Sequence, residues 1–229
     1  MKIKGYEKLS LVDYDLKVAT TIFFGGCNFR CPFCHNSSLV LNPNEGVDIP
    51  FEEILEHLKK RIGMIDAVVF TGGEPTLVPT LKDLIKQVKE LGYLVKLDTN
   101  GTNPIVLKEL INLGIIDFIA MDIKNSLNKY NLTCGLKVPL ENIQESIKII
   151  MDSNVDYEFR TTIVDEFHTV EDMIDISILL EGAKKMRIQK FIPSENCINP
   201  NLHEVDLTKA KSFVEKLKKT ISDVSLRGY

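Results

Sequence analysis

Three cysteines, Cys27, Cys31 and Cys34, fall within eight residues, in the string GGCNFRCPFCHN at 25–36. Their spacing is C-x3-C-x2-C. Three thiolates can hold three irons of a cubane cluster and leave the fourth iron without a protein ligand. That iron is then free to take a substrate, as a catalytic zinc keeps one position open. An electron-transfer cluster would ordinarily want a fourth cysteine. The alternative is zinc held by Cys27, Cys31, Cys34 and His35. Zinc sites usually draw their ligands from two separated pairs, and an adjacent Cys and His in one tight knot make a poor tetrahedron.

Further polar groups sit in short motifs. TGGEP, Thr71–Pro75, joins Gly72 and Gly73 to Glu74. Bare glycine backbone lets a ligand come close, and the carboxylate suits an ammonium group. Alone, the motif is equally a turn ended by Pro75. DTNG, Asp98–Gly101, supplies a second carboxylate, although Asn-Gly favours a tight turn that Asp98 can simply cap. MDIK, Met121–Lys124, puts Asp122 and Lys124 two apart, on one side of an extended chain. A plain ion pair satisfies that spacing too. Arg160 interrupts an apolar run between Phe159 and Thr161. Its partner is either a core carboxylate such as Asp122 or a group on a ligand, and the second is favoured.

These motifs need elements to position them. β-rich runs are expected at Val18–Phe24, Ala67–Thr71, Leu94–Asp98, Phe118–Ile123, Asp156–Ile163 and Arg187–Ile192. Amphipathic helices are expected near Phe51–Ile62, Thr80–Leu91, Pro104–Leu113, Leu140–Asp152, Val170–Glu181 and Leu207–Thr220. Leu81, Leu84, Ile85, Val88 and Leu91 mark one helix face. Such alternation implies parallel strands with helical crossovers. The motifs fall at or just after the carboxyl ends of the runs, where α/β barrels build their sites. One ligand reached from several consecutive strand ends needs a curved sheet, whereas a flat doubly wound sheet concentrates chemistry at one switch point. The expected fold is therefore a partial (β/α)6 barrel, open on one side.

Composition narrows the function classes. The 229 residues carry a formal net charge of -4, which argues against a nucleic-acid or anionic-membrane partner. No apolar run approaches the ~18 residues needed to span a bilayer. The start, MKIKGYEKLSLVDYDLK, lacks the apolar core of a signal peptide, so a cytoplasmic location is expected. Five cysteines, an odd number, fit a reducing compartment better than a disulfide framework.

C-x3-C-x2-C after a first strand resembles the signature of the radical S-adenosylmethionine superfamily. The wider string GCNFRCPFCHN resembles its glycyl-radical activases, among them pyruvate formate-lyase activating enzyme and the anaerobic ribonucleoside-triphosphate reductase activating protein. The resemblance covers nearly the whole chain and implies a single radical SAM domain over residues 1–229, with no accessory cluster domain. It implies a [4Fe–4S] cluster on Cys27, Cys31 and Cys34, and S-adenosylmethionine contacted by Phe33, Cys34, His35, Gly72, Gly73, Glu74, Asp98, Asp122, Lys124 and Arg160. Asp98 and Asp122 are also implied neighbours of a monovalent cation. The implied chemistry is reductive cleavage of S-adenosylmethionine to a 5′-deoxyadenosyl radical, which takes a hydrogen atom from a glycine of a partner enzyme. The implied partners are an anaerobic ribonucleotide reductase first, a pyruvate formate-lyase-like enzyme next, and a low-potential flavodoxin or ferredoxin as electron donor.

The chain departs from these relatives at two places. Asp15-Leu16 stand where some carry Pro-Gly, and Ser194, Glu195 and Asn196 stand near where one carries a histidine. Two rivals remain: a radical SAM enzyme acting on a small molecule or nucleobase, and a noncatalytic iron–sulfur or zinc module. Cys134 and Cys197 are read as ordinary reduced thiols, and His57 and His168 as surface histidines.

Overall fold

In a computed structural model that describes residues 2–229, one eight-stranded sheet runs in sequence order. Its strands are β1 (Ile3–Ser10), β2 (Ala19–Phe24), β3 (Ala67–Gly72), β4 (Leu94–Thr99), β5 (Phe118–Asp122), β6 (Asp156–Ile163), β7 (Lys185–Lys190) and β8 (Asp223–Arg227). β1 pairs antiparallel with β2, and every later pair is parallel. Strands β2 to β7 are the six expected runs, and the parallel sheet is not closed into a full barrel. The two outer strands were not anticipated. β1 buries only its end residues, Ile3 and Ser10, and β8 only Val224, so neither carries the apolar pattern of a core strand.

Six helices cover the sheet where periodicity placed them: α2 (Phe51–Lys59), α3 (Leu81–Glu90), α4 (Pro104–Asn112), α6 (Leu140–Met151), α7 (Val170–Leu179) and α8 (Leu207–Leu217). Their starts are written locally. Asn103 accepts from Val106 N with Pro104 at the first helical position, Thr169 and Asp172 form a capping box, and Asp206 accepts from Thr208 N and Lys209 N. α3 turns Leu81, Ile85 and Val88 inward. Two short helices, α1 (Ser37–Leu41) and α5 (Tyr130–Cys134), were not anticipated, being only five residues each. Both lie beside the cysteine loop.

Strands β2 to β5 are buried on both faces along most of their length, as parallel strands between helices and a filled interior should be. A continuous apolar core runs from Ile3 to Val224. The loop between β1 and β2 lies against the sheet. Tyr14 packs on Phe118 at 5.3 Å, and Asp15 pairs with Arg227 of β8 at 3.1 Å. No helix among the described residues is long and apolar enough to cross a membrane.

Candidate active site

The loop after β2 carries the three clustered cysteines over a cavity of about 460 Å³ at the carboxyl ends of the strands. Cys31 is buried, Cys27 and Cys34 are half-buried, and all three line that cavity with Phe29, Phe33 and Val40. The loop is tied on several sides. Gly26 N donates to Leu39 O at 2.7 Å, Arg30 N to Cys134 O at 2.9 Å, and Asn199 N to Pro32 O at 2.7 Å. His35 Nε2 lies 2.7 Å from Ile192 O, its ring stacked on Phe191. Phe33 sits below Lys124, whose Nζ is 5.9 Å from the ring centre.

Burial pushes the Cys27 thiol up to about 12 and raises that of Cys34. Cys31 is held below the ordinary thiol range, chiefly by a hydrogen bond with the Cys134 thiol, which burial raises. Thiols kept protonated by an apolar setting become ligands when a metal draws the proton off. Among the described residues no three His, Cys, Asp or Glu side chains converge closely enough to share one metal ion. A cubane takes each cysteine to a different iron, and three thiolates lining one cavity are a donor set that suits it.

Opposite the cysteines runs a row of alternating charge. Asp122 and Arg160 are register partners on β5 and β6, and Arg160 Nε lies 2.9 Å from Asp122 Oδ1. Arg160 Nη1 reaches Asp98 Oδ2 at 3.0 Å, and Lys124 Nζ reaches Asp122 Oδ2 at 3.0 Å. Burial alone would raise Asp122, but Arg160 and Lys124 outweigh it and hold the carboxyl at about 2. Burial alone would likewise lower Lys124, yet Asp122 and Cys31 raise it. The guanidinium stands between the two aspartates, so the core ion pair that the sequence reading ranked second is present. Both carboxylates, the implied neighbours of a monovalent cation, meet Arg160. Lys96 Nζ lies 3.2 Å from Asp98 Oδ1 but is aimed at Asp13 O, which leaves Asp98 Oδ1 buried without a hydrogen-bond partner. That oxygen is charge-paired with Lys96 rather than hydrogen-bonded.

The TGGEP segment does work that the sequence reading assigned to a ligand. A Cβ on Gly73 would stand 1.8 Å from Gly26 O, and one on Gly72, whose φ is +112°, 2.3 Å from Phe24 N. The close approach these glycines permit is thus first to the cysteine loop itself. Gly73 N donates to Phe24 O and Glu74 N to Gly26 O, at 2.8 and 2.9 Å. Glu74 lines the cavity, yet its carboxylate is buried and accepts from Thr76 N, Thr76 Oγ1, Thr99 Oγ1 and Asn100 N at 2.6–3.0 Å. It locks the end of β3 to the end of β4.

Several lining residues escaped the sequence reading: Asp13, Asn100, Thr162 and Gln189. Thr162 was within reach, being two along from Arg160 on the same face of β6, and Gln189 is its register partner on β7. Asp13 comes from a loop and carried no signal. Ser194, Glu195 and Asn196 do not line the cavity. Cys134 and Cys197 are free thiols, and both are buried beside the cysteine loop, Cys134 against Cys31 and Cys197 3.9 Å from Phe33 O. His168 is fully buried rather than on the surface. Its Nδ1 accepts from Val164 N and its Nε2 donates to Lys124 O, each at 3.0 Å. His57 is tethered through Nε2 to Lys8 O at 3.2 Å.

Comparison with known proteins agrees with this geometry. Residues 21–179 match the radical SAM superfamily. Over 198 residues the chain is 36% identical to a Methanocaldococcus jannaschii protein provisionally named a glycyl-radical enzyme activating enzyme, covering 84% of this chain and 81% of that one. It is 34% identical over 129 residues to the pyruvate formate-lyase-activating enzyme of Clostridium pasteurianum, covering 54% and 52% of the two chains. The fold resembles Streptococcus suis SuiB bound to S-adenosylmethionine, with a TM-score of 0.69, 14% identity, and coverage of 91% of this chain and 52% of that chain. The chain belongs to the radical SAM superfamily, as an oxidoreductase whose cofactors are a [4Fe–4S] cluster and S-adenosylmethionine.

Proposed function

We propose that this chain is an activating enzyme that removes a hydrogen atom from a glycine of a partner enzyme, with Cys27, Cys31 and Cys34 holding the cluster. One observation carries the reading: a single cavity gathers three cysteines and a charged row drawn from successive strand ends. When bound, the cluster and S-adenosylmethionine together supply an electron, a broken C5′–S bond and a 5′-deoxyadenosyl radical. The protein's own groups bind, orient and exclude water. Phe29 and Phe33 give flat apolar surface of the kind a purine packs against. Lys124 and Arg160 offer cations to the ligand's carboxylate, and Asp98 lines the same cavity. His35 and Phe191 hold the rim of the cysteine loop from the β7 side.

The glycine target is supported by the names of the two relatives. An anaerobic ribonucleotide reductase is the first partner to try, and a pyruvate formate-lyase-like enzyme the second, with flavodoxin or ferredoxin as donor. The test begins with anaerobic reconstitution using iron and sulfide, then dithionite and S-adenosylmethionine, with 5′-deoxyadenosine quantified. Product from the wild type and less than a hundredth of it from Cys31→Ala is expected. Adding a purified glycyl-radical enzyme should then give an organic radical on that partner by electron paramagnetic resonance. Turnover with no partner radical would favour a small-molecule or nucleobase substrate. Bound zinc without iron would defeat the reading.

A further inference from the structure

Asn100 is held in one orientation by a closed ring of hydrogen bonds. Its Oδ1 accepts from Thr102 N at 3.0 Å and from Thr102 Oγ1 at 2.7 Å. A backbone N–H can only donate, so the oxygen end of the amide is settled and the Nδ2 end must point the other way. There Nδ2 donates to Asn28 Oδ1 at 2.8 Å and lies 3.8 Å from Cys27 Sγ. Asn28 Nδ2 donates back to Thr102 Oγ1 at 2.8 Å, which closes the ring and settles the second amide as well. Asn100 and Thr102 are both buried.

Cys27 Sγ meets two N–H donors in this setting. One is the Phe29 backbone N–H, at 3.3 Å. The other is the Asn100 side chain, brought from the end of β4. As a thiol, Cys27 also faces Asn28 Oδ1 at 4.0 Å. A ligated thiolate has no proton to give, so the amide N–H of Asn100 is the side-chain contact that survives ligation.

We propose that Asn100 tunes the reduction potential of the cluster through an N–H···S hydrogen bond to Cys27. The proposal rests on the reading of Cys27 as a cluster ligand. An added electron increases the negative charge shared by the sulfurs, and a fixed N–H donor stabilises that state more than the oxidised one. Asn100 thereby raises the potential and makes the cluster easier to reduce. Thr102 and Asn28 act through it, as positioning residues.

The test is anaerobic potentiometric titration of reconstituted protein, with the reduced cluster read by electron paramagnetic resonance and iron measured per chain. Asn100→Asp keeps the shape and the Thr102 contacts but replaces the N–H with oxygen and adds a negative charge, so the uncharged Thr102→Val variant is what separates loss of the donor from added charge. Its reduced-to-oxidised ratio at the wild-type midpoint should fall about tenfold, about 59 mV for one electron. Thr102→Val leaves Asn100 and every charge in place and removes one lock on its amide, so a fall of about threefold is expected. A purely structural role would change iron content or stability and leave the ratio alone. Full iron with a wild-type ratio in both variants overturns the proposal. If Asn100→Asp assembles no cluster, the Thr102→Val ratio decides alone. A wild-type chain that binds no cluster would instead overturn the ligand reading of Cys27 beneath it.

Discussion

At the carboxyl ends of the strands, a Cβ on Gly73 would strike the Gly26 carbonyl at 1.8 Å; at the amino ends, Gly92 follows α3 with φ +88° and nothing within 4 Å of where its Cβ would go. The charges divide in the same way. The Asp98–Arg160–Asp122 row is largely buried, whereas Asp15, in the loop that leads into β2, is mostly exposed where it meets Arg227. One end is specified by contact, because loops from β2, β3 and β4 must meet round a site. The other is specified mainly by local conformation, because its turns need only reverse the chain. Substitutions at the carboxyl end should therefore cost several times more than the same substitutions at the amino end.

Arg160→Leu is the strongest test of that difference. It leaves two largely buried carboxylates without their shared cation, each keeping only its lysine, and breaking such a network costs up to about 3 kcal/mol. Denaturant unfolding should show that loss, and equilibrium dialysis should show S-adenosylmethionine binding weakened at least tenfold. Asp15→Asn, at the exposed pair, should stay within about 1 kcal/mol of the wild type. Equal losses would erase the distinction between the two ends.

Gly73→Ala should cost about 3 kcal/mol, because backbone on both sides must move to admit one methyl. Reconstituted iron per chain should fall with it, since the segment that shifts carries Cys27. Gly92→Ala meets no neighbour and should cost about 1 kcal/mol from φ alone. The same denaturant titration ranks the two, and a reversal of their order would break the comparison.

What the sequence made legible follows from the same division. Repeating features were readable: β2 to β5 are buried on both faces, β6 and β7 still carry buried apolar positions, and their helices repeat at helical spacing. The cysteine loop was readable because three ligand-type residues crowd into one segment. β1 and β8 were missed because an edge strand buries few side chains and so writes little pattern. His168 was misread, and the burial of the free thiols Cys134 and Cys197 went unseen, because their surroundings are built by residues far along the chain. Cys134 meets Arg30 and Cys31 only after the α5 segment folds back over the loop, and EFHTV looks like solvated loop until Val164 and Lys124 close round the ring. Arg160 was placed on the right strand, yet nothing local indicated that it reaches two aspartates at once.

The carboxyl end should also be the more acid-sensitive. Burial lowers the His168 pKa, and the ring is neutral, accepting from Val164 N and donating to Lys124 O. The unfolded chain then binds the extra proton at an ordinary pKa near 6.5 while the folded one resists it. Stability contributed by this residue is present above about pH 6.5 and falls as pH drops below it, by at most about 1.4 kcal/mol per pH unit. Unfolding titrations at several pH values from 7.5 to 5.0 should show this slope, and His168→Gln should flatten it. A slope unchanged by the substitution would assign the acid sensitivity elsewhere.

The smallest effect, and the only gain, is expected at the amino end. Leu16 has φ +61° and is fully exposed, the one non-glycine residue with positive φ among those described. A left-handed conformation costs a Cβ-bearing residue roughly 1–2 kcal/mol, and an exposed side chain recovers nothing by packing. Leu16→Gly removes that strain and gives back part of it as greater freedom in the unfolded chain. The net gain should be about 1 kcal/mol, or about 2–4 °C in Tm for a chain of this size. Cluster content and S-adenosylmethionine affinity should not change, because Leu16 is outside the lining of the cavity. A rise in Tm with an unaltered site would show that strain at the amino end is stored apart from the chemistry. A fall in cluster content would mean instead that the 11–17 loop, which also carries Asp13 to the cavity wall, transmits its conformation to the carboxyl end, and the two ends would then be one mechanical unit.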